Sequence, residues 1–199
     1  MKKLFILVVV SIVAVSCKKN KSDDNNQGQF PYYFTATING ASVKYEANDL
    51  NSQYACGTSA PFDAIGDDYD IYEGTFIVDE NDFTKNNIYV HLLKYFDHDP
   101  LGAERLAMFQ VGSYPYGFGS TDPSTIDGAS IVYADATGKE WFSELGTQTG
   151  STFSISEIVD NPDNTSIKIF KATFSCKLYD GSGGSIQVNN AVIRGKIFN

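Results

Sequence analysis

The sequence predicts an all-β domain, an antiparallel β-sandwich of roughly ten strands. Three observations carry this. After residue 30, short runs alternate apolar and polar residues with period two, the pattern of strands with one buried face. Turn dipeptides separate these runs at the spacing of a sandwich or barrel. Helical periodicity is confined to a single short stretch. A closed barrel is the alternative, because strand counting does not say whether the sheet edges are joined.

The elements follow in order. Phe34, Ala36 and Ile38 alternate with Thr35 and Thr37, Asn39-Gly40 follows, and Val43 and Tyr45 resume the alternation within Ala41 to Glu46. Asn-Gly between alternating runs is a strong hairpin signal, since both residues accept positive φ. Ile71 to Val78 and Ile88 to Lys94 read as strands. Pro100 to Gln110 holds the one candidate helix, with Asp99 as its N-cap, or else a loop leading into a strand. Ala129 to Ala136, Thr137-Gly138 and Lys139 to Ser143 form a second hairpin. Thr152 to Val159 is followed by the Asn161-Pro162-Asp163-Asn164 turn and a long strand from Ile167 to Tyr179, bent near Ala172. Gly181 to Gly184 turns into Ile186 to Val188, and Val192 to Phe198 closes the domain. Gly66 to Tyr69 and Tyr114 to Gly128 read as long surface loops.

Ahead of the domain, Lys2 and Lys3 precede an apolar run, Leu4 to Val10 and then Ile12 to Val15, with small residues at Ala14 and Ser16. This is the layout of a secretion signal over residues 1–16. The run is shorter than the roughly 20 apolar residues a membrane span needs. It stops at Cys17, with Lys18 and Lys19 next. A small residue directly before a cysteine at the end of such a run resembles a bacterial lipobox, although Ala14 stands where the pattern usually has an aliphatic residue. The resemblance implies that Cys17 carries acyl groups, palmitate among them, and anchors the chain in a membrane. Ordinary secretion with Cys17 near the cut is the alternative. Residues 17–29 then form a polar tether, since Lys18 to Gln29 contains no apolar residue and has nothing to bury. Ser22-Asp23-Asp24 resembles the acidic export signal of Bacteroidetes-type surface lipoproteins, which implies a surface-exposed position on the cell outer membrane.

The chain has 199 residues, with 15 basic against 24 acidic, a net charge of −9. From residue 30 onward the count is 10 basic and 22 acidic, a net of −12, so a slightly basic stalk carries a strongly acidic head. Such a head has no general attraction to phosphates, and no nucleic-acid partner is expected. A hydrophobic fraction of 42 % excludes wholesale disorder. Residues 30–199 suit one domain.

Within that domain, Phe34-Thr35-Ala36-Thr37-Ile38-Asn39-Gly40, Gly112-Ser113-Tyr114, Ala172-Thr173-Phe174-Ser175 and the closing Gly195-Lys196-Ile197-Phe198 are similar to motifs of small Bacteroidetes-type lipoproteins with a β-rich domain of unknown function. Ala172 stands where that group often has Gly, and the ending is one residue longer. These motifs specify hairpins and strands, and the resemblance implies no activity for any residue.

Cys56 and Cys176 remain once Cys17 is set aside. An even pair in an oxidising compartment suggests a disulfide; two buried thiols are the other reading. His91 and His98 are seven apart, unlike paired zinc ligands, and His91 reads as a half-exposed strand histidine on the face opposite Val90 and Leu92. Asp63, Asp67, Asp68, Asp70 and Glu73 cluster around Gly66 without the spacing of a calcium loop, so no metal or cofactor is expected. The aromatic run Tyr114, Tyr116, Phe118, with Trp141, offers candidate ligand-binding rings, since aromatic faces suit sugar rings; packing at the end of the domain is the bland reading. No nucleophile elbow, phosphate loop, dinucleotide fingerprint or zinc-protease motif is present. The expectation is a non-enzymatic binding module for a glycan or partner protein. A structural component of an outer-membrane assembly, or a hydrolase with an unrecognised carboxylate pair, are the alternatives.

Overall fold

A computed structural model describes residues 31–48 and 52–198. The signal segment, Cys17 and the tether lie outside the described residues. The strands are β1 (Tyr32–Ile38), β2 (Ala41–Ala47), β3 (Tyr54–Ser59), β4 (Phe62–Ile65), β5 (Asp68–Asp79) and β6 (Asn87–Phe96); then, after helix α1 (Gly102–Leu106), β7 (Gly112–Tyr114), β8 (Gly128–Ala134), β9 (Glu140–Phe142), β10 (Thr152–Asp160), β11 (Ile167–Tyr179) and β12 (Ser185–Phe198).

The domain is all-β, as expected, but its sheet closes into a nine-stranded barrel and is not a sandwich. The cause is the length of β12. Its one edge pairs β1 (Phe34↔Ile193) and its other edge pairs β11 from Tyr179↔Ser185 to Ile167↔Phe198. The two edges that a sandwich would leave open are thereby joined. The sequence divides this strand at Asn189-Asn190, and the structure runs through it, taking up the irregularity as a bulge with Asn190 at φ 51°. β1 and β2 are linked by the expected Asn39-Gly40 turn, with φ of 47° and 84°. The candidate helix contracts to five residues. Its first turn is capped by the Glu104 carboxylate, which accepts the Leu101 N–H at 2.9 Å, and Asp99 is not the cap.

The barrel has no open lumen where β12 crosses β5. Gly195 faces inward, and a Cβ built on it would lie 2.4 Å from Thr75 Oγ1 and 2.7 Å from Thr75 Cγ2. The Lys196 N–H donates to the same hydroxyl at 3.1 Å, and that hydroxyl donates to the Gly57 carbonyl at 2.9 Å. The missing side chain lets opposite walls touch. Gly195→Ala should therefore destabilise the domain by about 2 kcal/mol through overpacking. A Thr75→Ser partner substitution should recover part of that. Chemical denaturation of the two single variants and the double variant checks it, and additive losses would show that the walls do not meet here.

On either side of this contact the core is filled. An aromatic series runs through it: Phe34 stacks on Phe174 at 6.2 Å, and Phe174 stacks on Phe153 at 5.9 Å. Such pairs add about 0.5–1.5 kcal/mol each beyond area burial. No disulfide joins Cys56 to Cys176. Their thiols are directed to different neighbours. Cys56 Sγ lies 3.6 Å from Thr75 Oγ1 on the β5 side, whereas Cys176 on β11 faces the Tyr116 hydroxyl. Burial pushes the Cys176 thiol up to about 12, so it is held as the unreactive protonated form. Both cysteines are expected to alkylate in denatured, unreduced protein, read by peptide mass. Labelling only after reduction would restore the disulfide.

Candidate functional site

Between β8 and β11 the barrel wall forks. At one end β9 fills the gap, pairing Tyr133↔Trp141 and Phe142↔Tyr179. At the other end β10 lies on β11, and β7 lies on β10 through Gly112↔Ile155, Ser113↔Ser154 and Tyr114↔Phe153. The chain leaving β7 then joins β8: the Ala129 N–H donates to the Pro115 carbonyl at 2.8 Å and the Gly117 N–H to the Ala129 carbonyl at 2.9 Å. The two backbones meet so closely that a Cβ on Gly128 would lie 2.4 Å from the Pro115 oxygen.

Short of that junction a groove of about 410 Å³ opens between β7 and the end of β6. Leu93 and Lys94 form one wall, Gly112 to Tyr114 the other, and Met108 contributes to the lining. A second depression of about 300 Å³ borders the same strand along Ser113, Tyr114, Thr152 and Phe153. Ser113 and Tyr114 thus line both.

Tyr114 is half-buried. Its ring meets Phe153 edge to face at 6.2 Å, and its hydroxyl accepts the Gln110 N–H at 2.7 Å while lying 3.0 Å from the Met108 carbonyl. It therefore ties the segment after α1 to β7. Tyr116 also meets Phe153 edge to face, at 6.5 Å, its hydroxyl 3.3 Å from the Thr152 carbonyl; burial raises its pKa. Phe118 is exposed on an adjoining loop, bridged to Ile126. Trp141 is buried in the β8–β9 hairpin, its Nε1–H donating to Asp135 at 3.0 Å and Lys139 Nζ lying 4.2 Å from its ring centre. The structure brings Tyr114 and Tyr116 together around Phe153, and does not bring the four rings onto one exposed platform. Tyrosines two apart on an extended chain point the same way, but sequence does not say whether that way is in or out.

The acidic residues near Gly66 are also divided. Asp70 faces outward from β5 and is buried beneath the 117–127 loop, accepting the Thr121 N–H at 2.6 Å and the Thr125 hydroxyl at 2.8 Å. Burial, with Asp70 across the strand pair, raises the pKa of Asp63. Glu73 faces inward and meets Arg105 of α1. Among the described residues no group of three or more His, Cys, Asp or Glu side chains is placed to hold a metal ion.

His91 lies opposite Val90 and Leu92 as expected, but it is buried, with 5 % exposure, because the rings of Tyr72 and Tyr89 pack against it on that outer face. Its strand partner is Ser130. Ser130 donates to Glu144 at 2.5 Å, and Glu144 also takes the Tyr72 hydroxyl and the Gly119 N–H. The serine is thus bonded to the carboxylate and not to the imidazole, unlike a nucleophile relay.

Beside the groove stands a feature the sequence reading missed, a cluster of acids around Tyr95, of which Asp127 lines the groove. The Tyr95 hydroxyl donates to Asp68 at 2.5 Å and its N–H to Asp127 Oδ1 at 3.0 Å, while Asp97 and Asp122 add their fields. The Asp68 hydrogen bond leads in pushing the Tyr95 pKa up to about 12. The signal was there to find: residues 106–138 contain no Lys or Arg. No family model matches this chain, and neither does any curated protein or solved structure.

Proposed function

We propose that the protein is a lipid-anchored, non-enzymatic binding module of the outer membrane, and that its ligand, a glycan or a partner protein, seats in the groove between β6 and β7. The groove carries this reading. It is a sizeable concave surface on a closed barrel, lined by mixed polar and apolar groups from the ends of β6, β7 and β8 and from the segments beside them, which suits recognition. The anchored position rests on the leader and Cys17, and the polar tether gives the head reach from a membrane surface. Several acyl chains, each worth about 0.8 kcal/mol per buried CH₂, would hold it there.

Two experiments test the reading. Metabolic labelling with palmitate should mark the wild-type chain and not Cys17→Ser; equal labelling of both, or of neither, would remove the anchor. For the groove, amide shifts of the full chain in detergent against a panel of glycans and peptides should move Ser113 and Tyr114. Ligands that bind while leaving those signals in place would put the site elsewhere.

A further inference from the structure

The groove lies between two strand edges. β8 pairs β6 only as far as Gly128↔Leu93, yet β6 runs on through Phe96. With period two along a strand, the next β6 amide to point toward β8 after Leu93 is that of Tyr95. This N–H goes to the Asp127 side chain, not to a strand. Across the groove, β7 is paired on its β10 edge alone. One end of the gap is shut by the Pro115–Ala129 junction, and Met108 contributes to its lining. The wall of the barrel therefore lacks a strand at this place, with an edge on each side of the gap.

We propose that this gap takes an extended, Lys- or Arg-bearing segment of a partner protein, which adds as a strand between β6 and β7. The proposal rests on the binding-module reading and narrows its ligand. A polypeptide supplies alternating N–H and C=O groups to both edges, which a glycan does not. Tyr114, the one candidate ring at the groove, already has its hydroxyl on the backbone and its ring edge on Phe153. Charge selects the guest. Asp127 stands on the rim in the groove lining, and Asp68, Asp97 and Asp122 lie around the neighbouring Tyr95. The cation in the lining, Lys94, is turned to the Phe96 ring, 5.1 Å from its centre. A second copy of this domain, with a net charge of −12, would meet the rim with repulsion.

The probe is a short acetylated peptide alternating lysine and valine, titrated into the full chain in detergent. It is compared with the same peptide N-methylated at alternate amides, a glutamate-for-lysine analogue, and chitohexaose. The lysine peptide should bind saturably and shift the amides of Gly112, Ser113 and Tyr95. N-methylation should weaken it at least tenfold while leaving its charge unchanged, and the glutamate analogue should not saturate. Asp97→Asn combined with Asp122→Asn should weaken it several-fold with an unchanged melting temperature. Equal affinity of the N-methylated peptide would overturn strand addition and leave only charge attraction. Shifts at Ser113 and Tyr114 from chitohexaose, with none from the peptide, would overturn it too, and the binding-module reading would stand. If no probe moves the groove amides, both readings of this groove fail.

Discussion

Arg105→Leu is expected to destabilise the domain by about 3 kcal/mol at neutral pH, the lower end of the cost of stripping the partner from a buried charge. The lower end applies because Arg105 keeps 30 % of its side chain exposed, whereas Glu73 keeps 3 %. Arg105 Nε and Nη2 both donate to Glu73 Oε2, at 2.9 and 2.5 Å, and Glu73 Oε1 is buried with no partner. Burial raises the pKa of Glu73, and the guanidinium is the main group pulling it back. Without Arg105 the carboxylate would have to take up a proton or stay charged inside the barrel. The sign with pH follows. A carboxyl whose folded pKa lies above its unfolded value loses stability as pH rises, so the deficit of the variant should shrink in acid. Adding Glu73→Gln should restore most of the loss at neutral pH, since the orphaned charge is gone. Urea midpoints for the single and double variants, at neutral pH and in acid, decide it. A deficit that persists unchanged in the double variant would mean that Arg105 acts through packing alone. The pair also bears on the groove: α1 has no buried residue of its own, and Arg105 pins it just ahead of Met108 and the Tyr114 tie.

Local features of this fold were legible because local chemistry dictates them. Asn39-Gly40 takes positive φ at both positions, and the alternation from Phe34 to Ile38 is matched residue for residue by burial. Closure was not legible, because it depends on β12 pairing, besides its hairpin neighbour β11, the strand β1 at the opposite end of the domain sequence. β3, β4 and β7 escaped for a related reason. Tyr-Ala-Cys-Gly-Thr-Ser has no alternation, and every residue of β3 is half-buried; β4 has four exposed residues and β7 only three in all. They are strands because β5 and β10 offer them an edge, not because their own sequence insists.

The candidate site was legible in part for the same reason. Tyr114 and Tyr116 were singled out by residue type, and Tyr114 does line both depressions. Type alone could not reveal that their hydroxyls serve backbone groups. Tyr95, Lys94 and Asp127 carry no motif. They matter only because β6 outruns β8 by three residues, which is a property of register and not of composition.

His91 should make the domain acid-sensitive, and it should do so through burial alone. Its pKa is held down to about 4 from an ordinary 6.5, with loss of solvent as the one cause. The groups that face it do not offset this. Tyr72 and Tyr89 present rings, Ser130 is committed to Glu144, and both oxygens of Glu144 are taken by Ser130, Tyr72 and Gly119. A protonated imidazole here would have no carboxylate free to receive it. The unfolded chain binds a proton below pH 6.5 that the folded chain refuses until about pH 4. The stabilisation is therefore complete above 6.5 and is lost across that window as pH falls, by about 3 kcal/mol at its lower end. His91→Phe should fit the slot between the two tyrosines and remove this slope. Other titrating groups, including exposed His98 with its raised pKa beside Asp97 and Glu104, remain in both proteins and cancel in the comparison. The measurement is the urea midpoint of wild type and variant at several pH values between 7 and 4. Wild type should lose ground on the variant steadily across that range. Parallel curves would mean that water enters the slot between the two tyrosines and lets His91 charge freely there.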